Sequence, residues 1–240
     1  ECRSFLLFPG FVFASGLPLL ASSGVMAHEY GHSVVHQLAG QPHGIDVDES
    51  VGEDGMTEEQ REALRVTNHY YSMHEGVADL LALAVTGNAR ILDVIDPSYG
   101  DDRDVRIPRS ATAEDRQALE DASPTVHFHG SALARAVYEV WPRTGAQLDA
   151  SERDALGRAV LATLESLDVT VGFRLATFAD QFVLQLPETA RPEACATFSL
   201  RLGALGDPRL QAGLGEPDGA VEAAAVGDRQ RLHVVPGCLR

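Results

Sequence analysis

His28, Glu29, Tyr30, Gly31 and His32 set two histidines four positions apart, with an acid directly after the first. On a helix that spacing projects both imidazoles from one face. Two nitrogens so placed reach one metal ion at about 2.0–2.1 Å. Glu29 lies about 100° further around the helix than His28. It does not easily join the same coordination shell, but it reaches a water held there. That is the geometry of a general base acting on metal-activated water.

A chance match of this kind lacks a third ligand. Ten residues after His28 stands Leu38, not a histidine. His36 lies two helical turns from His28, reaches the same ion poorly, and is expected to pack or cap locally. The better candidate is Glu75, in the run His74, Glu75, Gly76, Val77, Ala78, Asp79. Glu75 and Asp79 are four apart on an apolar helix that continues through Leu80 and Leu81. A buried carboxylate is costly unless it is paired or bound to a metal. Glu75 as third ligand, with Asp79 behind it orienting a histidine, removes that cost. On the residues alone, two exposed acids on an amphipathic helix stay open as an alternative.

His28, Glu29, His32, Glu75 and Asp79 together resemble the gluzincin metallopeptidases, the thermolysin-like and fungalysin-like group, with HExxH on one helix and ExxxD on a following one. The resemblance implies zinc held by His28, His32 and Glu75, with Glu29 as general base and Asp79 steadying His28. It also implies a peptide or protein substrate and an exported, secreted or cell-surface enzyme. Val126 and His127 precede a helix that ends at Val137 and Tyr138. By position the family's oxyanion-binding histidine falls on His127, with His129 as fallback; a purely structural helix-entry histidine is the plain alternative. A strand over residues 4–8 corresponds to the family's substrate-pairing edge strand. The resemblance spans residues 4–140 but is confined to motifs. The interval from His32 to Glu75 is long beside thermolysin, and an acidic loop at 41–55 and a helix from Thr57 occupy it. Neither Tyr70 nor Tyr71 sits at the offset of the family's oxyanion tyrosine, and little of its N-terminal β-lobe is recognisable. These departures point to a divergent branch. An endopeptidase is the expected activity. An aminopeptidase, for which no acidic anchor is identified, and a non-catalytic zinc-stabilised peptide-binding domain are the alternatives.

The elements that must position these residues follow from periodicity and capping. The chain has 240 residues, 45% hydrophobic and 22% charged, which excludes collagen, coiled coil and wholesale disorder. Its 19 basic residues, all arginine, face 35 acids, a net charge of −16. Such a surface repels phosphate backbones and anionic lipid heads, so nucleic-acid and membrane-surface partners are not expected. Residues 4–27 carry no charge, but Pro9, Gly10, Gly16, Pro18 and Gly24 interrupt them. They are read as short strands at 5–8, 11–14 and 17–20 rather than a membrane span.

A helix over 25–38 is expected, capped by Ser22 or Ser23 and stopped near Gly40. A second starts at Thr57 with a capping box to Gln60, breaks near 68–71 and ends near Gly87. Further helices are expected at 113–119, 129–141, 151–167, 172–186 and 192–202, with one strand at 231–235. The fold expected is mainly α (α+β), a helical zincin domain with a small N-terminal β-portion. Residues 1–240 form one domain: edge strands at 1–21, a zinc-binding core at 22–141, and a C-terminal helical part and tail at 142–240. The motif positions suggest the helical half of a longer precursor.

Other chemistry is weaker. Asp46, Asp48 and Ser50 open like an EF-hand loop, but Val51 and Thr57 break the pattern. Asp96, Asp101, Asp102 and Asp104 form either a calcium-binding loop or a solvated acidic one. No phosphate-cradling loop and no Gly-x-Ser-x-Gly elbow occurs. Cys2, Cys195 and Cys238 are odd in number, so at least one is unpaired within the chain; a bridge from Cys195 to Cys238 and three unbridged thiols both stay open.

Overall fold

A computed structural model of the chain describes residues 22–40, 55–91, 103–112, 126–169 and 172–202. The strands expected at 5–8, 11–14, 17–20 and 231–235, the loop expected at 41–55 apart from Gly55, and the helix at 113–119 lie outside the described residues. Within the described residues the chain is all-α. It forms six helices: α1 (Ser23–Leu38), α2 (Glu58–Thr86), α3 (Val126–Val140), α4 (Ala150–Ser166), α5 (Leu175–Leu184) and α6 (Arg191–Leu202). No strand is present among them. Among the described residues the only pairing of that kind is an isolated bridge between Arg90 and Asp104.

The ends of α1 and α2 are set by the residues the sequence suggested. Ser22 Oγ accepts from Val25 N at 3.3 Å, and Gly40 leaves α1 with φ 75°. Thr57 and Gln60 form the expected reciprocal capping box, and Glu58 and Glu59 place negative charge in the first turn of α2. Gly87, in the left-handed region at φ 73°, closes α2 by donating to Leu83 O at 2.8 Å. Asp149 and Glu152 cap α4 in the same reciprocal way.

The break expected at 68–71 is absent, and α2 runs unbroken for 29 residues. The polar residues read as a break have tertiary partners instead. Tyr70 OH donates to Gly40 O at 2.7 Å, tying α2 to the end of α1. Leu175 N donates to His69 Nδ1 at 3.5 Å, tying α2 to the start of α5. Asn68, His69 and Tyr70 are all buried.

α2 is the centre of the fold and packs on α1, α3, α4 and α5. From Ser72 to Leu83 all of its residues except Glu75 are buried, as a helix surrounded by others requires. Behind it, Phe178, Phe182 and Phe198 pack ring to ring across α5 and α6, with centroids 6.1 and 6.3 Å apart.

Two crossings are close enough to require glycine. A Cβ on Gly31 of α1 would lie 2.8 Å from Ala78 Cα. A Cβ on Gly130 of α3 would lie 2.5 Å from Glu75 Cβ and 2.8 Å from Gly76 N. These contacts set α1 and α3 directly against the stretch of α2 that carries Glu75. In an exposed helix, glycine to alanine is favourable. Here Gly130→Ala should instead destabilise the protein by about 1–3 kcal/mol through overpacking, read as a lower urea midpoint at unchanged slope.

Candidate metal centre

The Gly31–Ala78 crossing positions the site by simple offsets. His28 and His32 stand three before and one after Gly31, and Glu75 and Asp79 stand three before and one after Ala78. The two pairs therefore face each other across the closest approach of α1 and α2. His28 Nε2 and His32 Nε2 are 3.1 Å apart. Glu75 Oε2 lies 3.6 Å from the first and Oε1 lies 3.5 Å from the second. A tetrahedral ion with ligand bonds of about 2.0–2.2 Å spaces its donors by about 3.3–3.6 Å. The three side chains thus form a mostly buried group that could hold one metal ion.

Asp79 lies behind this group. Its Oδ1 is 2.9 Å from His28 Nδ1, a close ion-pair contact that is not aligned as a hydrogen bond. Asp79 is fully buried. Glu29 is half-buried on α1, near enough to feel the charges on His28 and Glu75. His127, in the first turn of α3, is 70% exposed, and its Nε2 is 3.6 Å from Glu75 Oε1. It stands at the rim, three residues before Gly130. His129 is buried, its ring edge-on to Phe128 at a centroid distance of 5.2 Å. His36 is exposed in the last turn of α1 and outside the metal-holding group.

Two residues of the site went unassigned in the sequence. Arg103 is buried, and its Nη2 donates to Asp79 Oδ1 at 2.8 Å and to Glu75 Oε2 at 3.2 Å. The bridge between Arg90 and Asp104, with Val105 N donating to Ala89 O at 3.1 Å, anchors this segment beside the end of α2. His74, next to Glu75, is buried, and its Nδ1 is 2.6 Å from His32 Nδ1. The signal for Arg103 was the need of two buried acids for a cation. Nothing in the sequence distinguishes it from eighteen other arginines.

The electrostatics follow from these contacts. Burial works against charge on His28, but the Asp79 and Glu75 carboxylates outweigh it and raise its pKa to about 9. Burial, then the charge on His28, lowers His32 to about 4. Burial, then His32, lowers His74 to about 3. Burial alone would raise Glu75, but His28 beside it holds the carboxyl well below its usual range. Asp79 is likewise held low, Arg103 and His28 overcoming its burial. Glu29 shifts the other way: burial, with Glu75's negative charge adding, raises it.

The remaining acidic and sulfur groups are partly accounted for. Arg106 donates to both oxygens of Asp104, at 2.9 and 2.6 Å, while Asp96, Asp101 and Asp102 lie outside the described residues. Cys195 is disulfide-bonded, and the other two cysteines lie outside the described residues. Among the described residues no helix is long and apolar enough to cross a membrane.

Two measurements follow. Arg103→Met removes the cation beside two buried acids and should destabilise the metal-free protein by about 3–5 kcal/mol; unchanged thermal and urea midpoints would contradict this. His28 binds a proton up to about pH 9 when no metal is present, so a metal ion must displace it. Binding near neutral pH should therefore release about one proton, and the apparent affinity should rise close to tenfold per pH unit until about pH 9, then flatten. Calorimetry in buffers of different ionisation enthalpy measures both.

Comparison with protein-family models, with curated protein sequences and with solved structures yields no match to this chain.

Proposed function

We propose that the chain is a zinc-dependent peptidase, an endopeptidase of a divergent gluzincin-like branch. The observation that carries the reading is the His28, His32 and Glu75 donor set with Asp79 against the far nitrogen of His28. Two imidazoles and one carboxylate are a zinc donor set that leaves a fourth position free. A charged partner behind a ligating histidine is the usual support for such a site. Zinc held there would polarise a peptide carbonyl and lower the pKa of water towards about 7.

The chain's own residues supply the rest. Glu29 takes the proton of the attacking water and hands it to the leaving amine. Its raised pKa suits both halves of that task, because a base too acidic holds the proton poorly. His127 at the rim donates from Nε2 to the oxyanion as it forms. Arg103 keeps Asp79 and Glu75 ionised from the side away from His32 and His127. On the same resemblance, the substrate is a peptide or protein and the site of action is extracytoplasmic.

Glu29→Gln should lower cleavage of denatured casein by at least about 10²-fold, while one zinc per chain stays bound. Wild-type rates in that variant would overturn the mechanism. His127→Phe should lower kcat by about 10²–10³-fold with little change in zinc content. A protein that binds zinc but never cleaves would favour the peptide-binding alternative.

A further inference from the structure

His28 has a charged partner behind it, but the ring nitrogen of His32 that faces away from the candidate ion meets a different group. Its Nδ1 is 2.6 Å from Nδ1 of His74. The two ring planes are inclined by only 12°, with centroids 4.7 Å apart. Parallel rings in face contact hold their atoms about 3.5 Å apart or more. A nitrogen separation of 2.6 Å is therefore too short for a face-to-face stack. The rings lie edge to edge in nearly one plane, which is how an imidazole N–H meets the in-plane lone pair of another imidazole.

The hydrogen bond needs one donor and one acceptor. His32 Nε2 faces His28 Nε2 and Glu75 Oε1, the side on which an ion would sit. A histidine that ligates through Nε2 carries its hydrogen on Nδ1, so His32 is the donor. His74 must then be the acceptor, with its own hydrogen on Nε2. His74 is 7% exposed and is walled by the rings of Tyr70 and Tyr71, at centroid distances of 5.3 and 6.5 Å. Tyr70 is itself fixed through its bond to Gly40 O. The acceptor is thus buried and held from behind.

We propose that His74 is a positioning residue of the metal centre, whose Nδ1 accepts the Nδ1–H of His32 and so fixes both the tautomer and the aim of that ligand. The proposal rests on the metal-centre reading of His28, His32 and Glu75. It does not require that the protein cleave peptides.

The experiment compares zinc affinity, by competition with a chromogenic chelator, in wild type, His74→Phe and His74→Asn. Phenylalanine keeps a planar ring but offers no acceptor. Asparagine carries its amide oxygen on Cγ, where histidine carries Nδ1, and so retains one. The expected result is a loss of about 10–100-fold in zinc affinity for His74→Phe, with most of it recovered in His74→Asn. Cobalt in place of zinc should show an altered visible spectrum in the Phe variant and a near-native one in the Asn variant. Equal zinc affinity in a folded His74→Phe would overturn the proposal. If that variant does not fold, nitrogen-15 spectra of zinc-loaded wild type decide. They should show hydrogen on Nδ1 of His32, none on Nδ1 of His74, and a scalar coupling between the two. A protonated Nδ1 on His74, or no coupling, would also overturn it. A wild-type chain that binds no zinc would remove the metal-centre reading and this proposal together. Zinc binding without cleavage would remove only the peptidase reading.

Discussion

Two negative charges sit on the most enclosed stretch of the central helix, and the surrounding elements answer to them. Asp79 is fully buried and Glu75 mostly so. Left alone, either carboxylate would take up a proton rather than stay charged in so dry a place. Three elements prevent that. α1 brings His28 against both acids, the segment around Asp104 brings Arg103 against both, and α3 brings His127 against Glu75. The two oxygens of Glu75 divide the work. Oε2 faces Arg103 and His28, while Oε1 faces His32 and the rim at His127. Arg103 therefore neutralises charge without covering the side where a ligand would enter.

This arrangement depends on backbones that approach more closely than ordinary side chains allow. The charges could not meet if α1 and α2 were spaced by leucines. Gly31 against Ala78, and Gly130 against Glu75 and Gly76, remove the side chains that would hold the helices apart. His28 and His32 then come within 3.6 and 3.5 Å of Glu75 across the crossing. The same crossings explain why α2 can be long, apolar through its middle and still carry two acids. Its buried middle packs on α1, α3 and α4, and the two acids lie beside the glycine-lined crossings with α1 and α3.

Much of this was legible in the residues. The serine cap, the Thr57 capping box and the terminal glycines located α1 and α2 to within about two residues, and the i,i+4 pairs His28/His32 and Glu75/Asp79 named the facing sets. Periodicity could not show that Asn68, His69 and Tyr70 continue a helix. The partners of Tyr70 and His69, Gly40 and Leu175, are remote in sequence, and a polar patch in an apolar pattern reads locally as an end. Arg103 was illegible for a related reason. Its place depends on the bridge between its neighbour Asp104 and Arg90, which no local pattern encodes, and Asp101, Asp102 and Asp104 made the segment read as an acidic loop. His74 was visible as a residue but not as a partner, because only the edge-to-edge approach to His32 gives it one.

The two histidines are supported asymmetrically, and the asymmetry bears on what the site could do. His28 faces an anion, Asp79, and His32 faces a neutral imidazole, His74. Counting formal charges within contact of the donors, Glu75 and Asp79 contribute two negatives and Arg103 one positive. A divalent ion in the site would then keep one net positive charge. A second carboxylate in place of His74 would cancel it. On the proposed reading that residual charge does the chemistry, because the ion must withdraw electrons from water and carbonyl oxygen. Arg103 and the neutral partner at position 74 thus act in the same direction. One offsets an acid that orients a ligand, and the other orients a ligand without adding an acid.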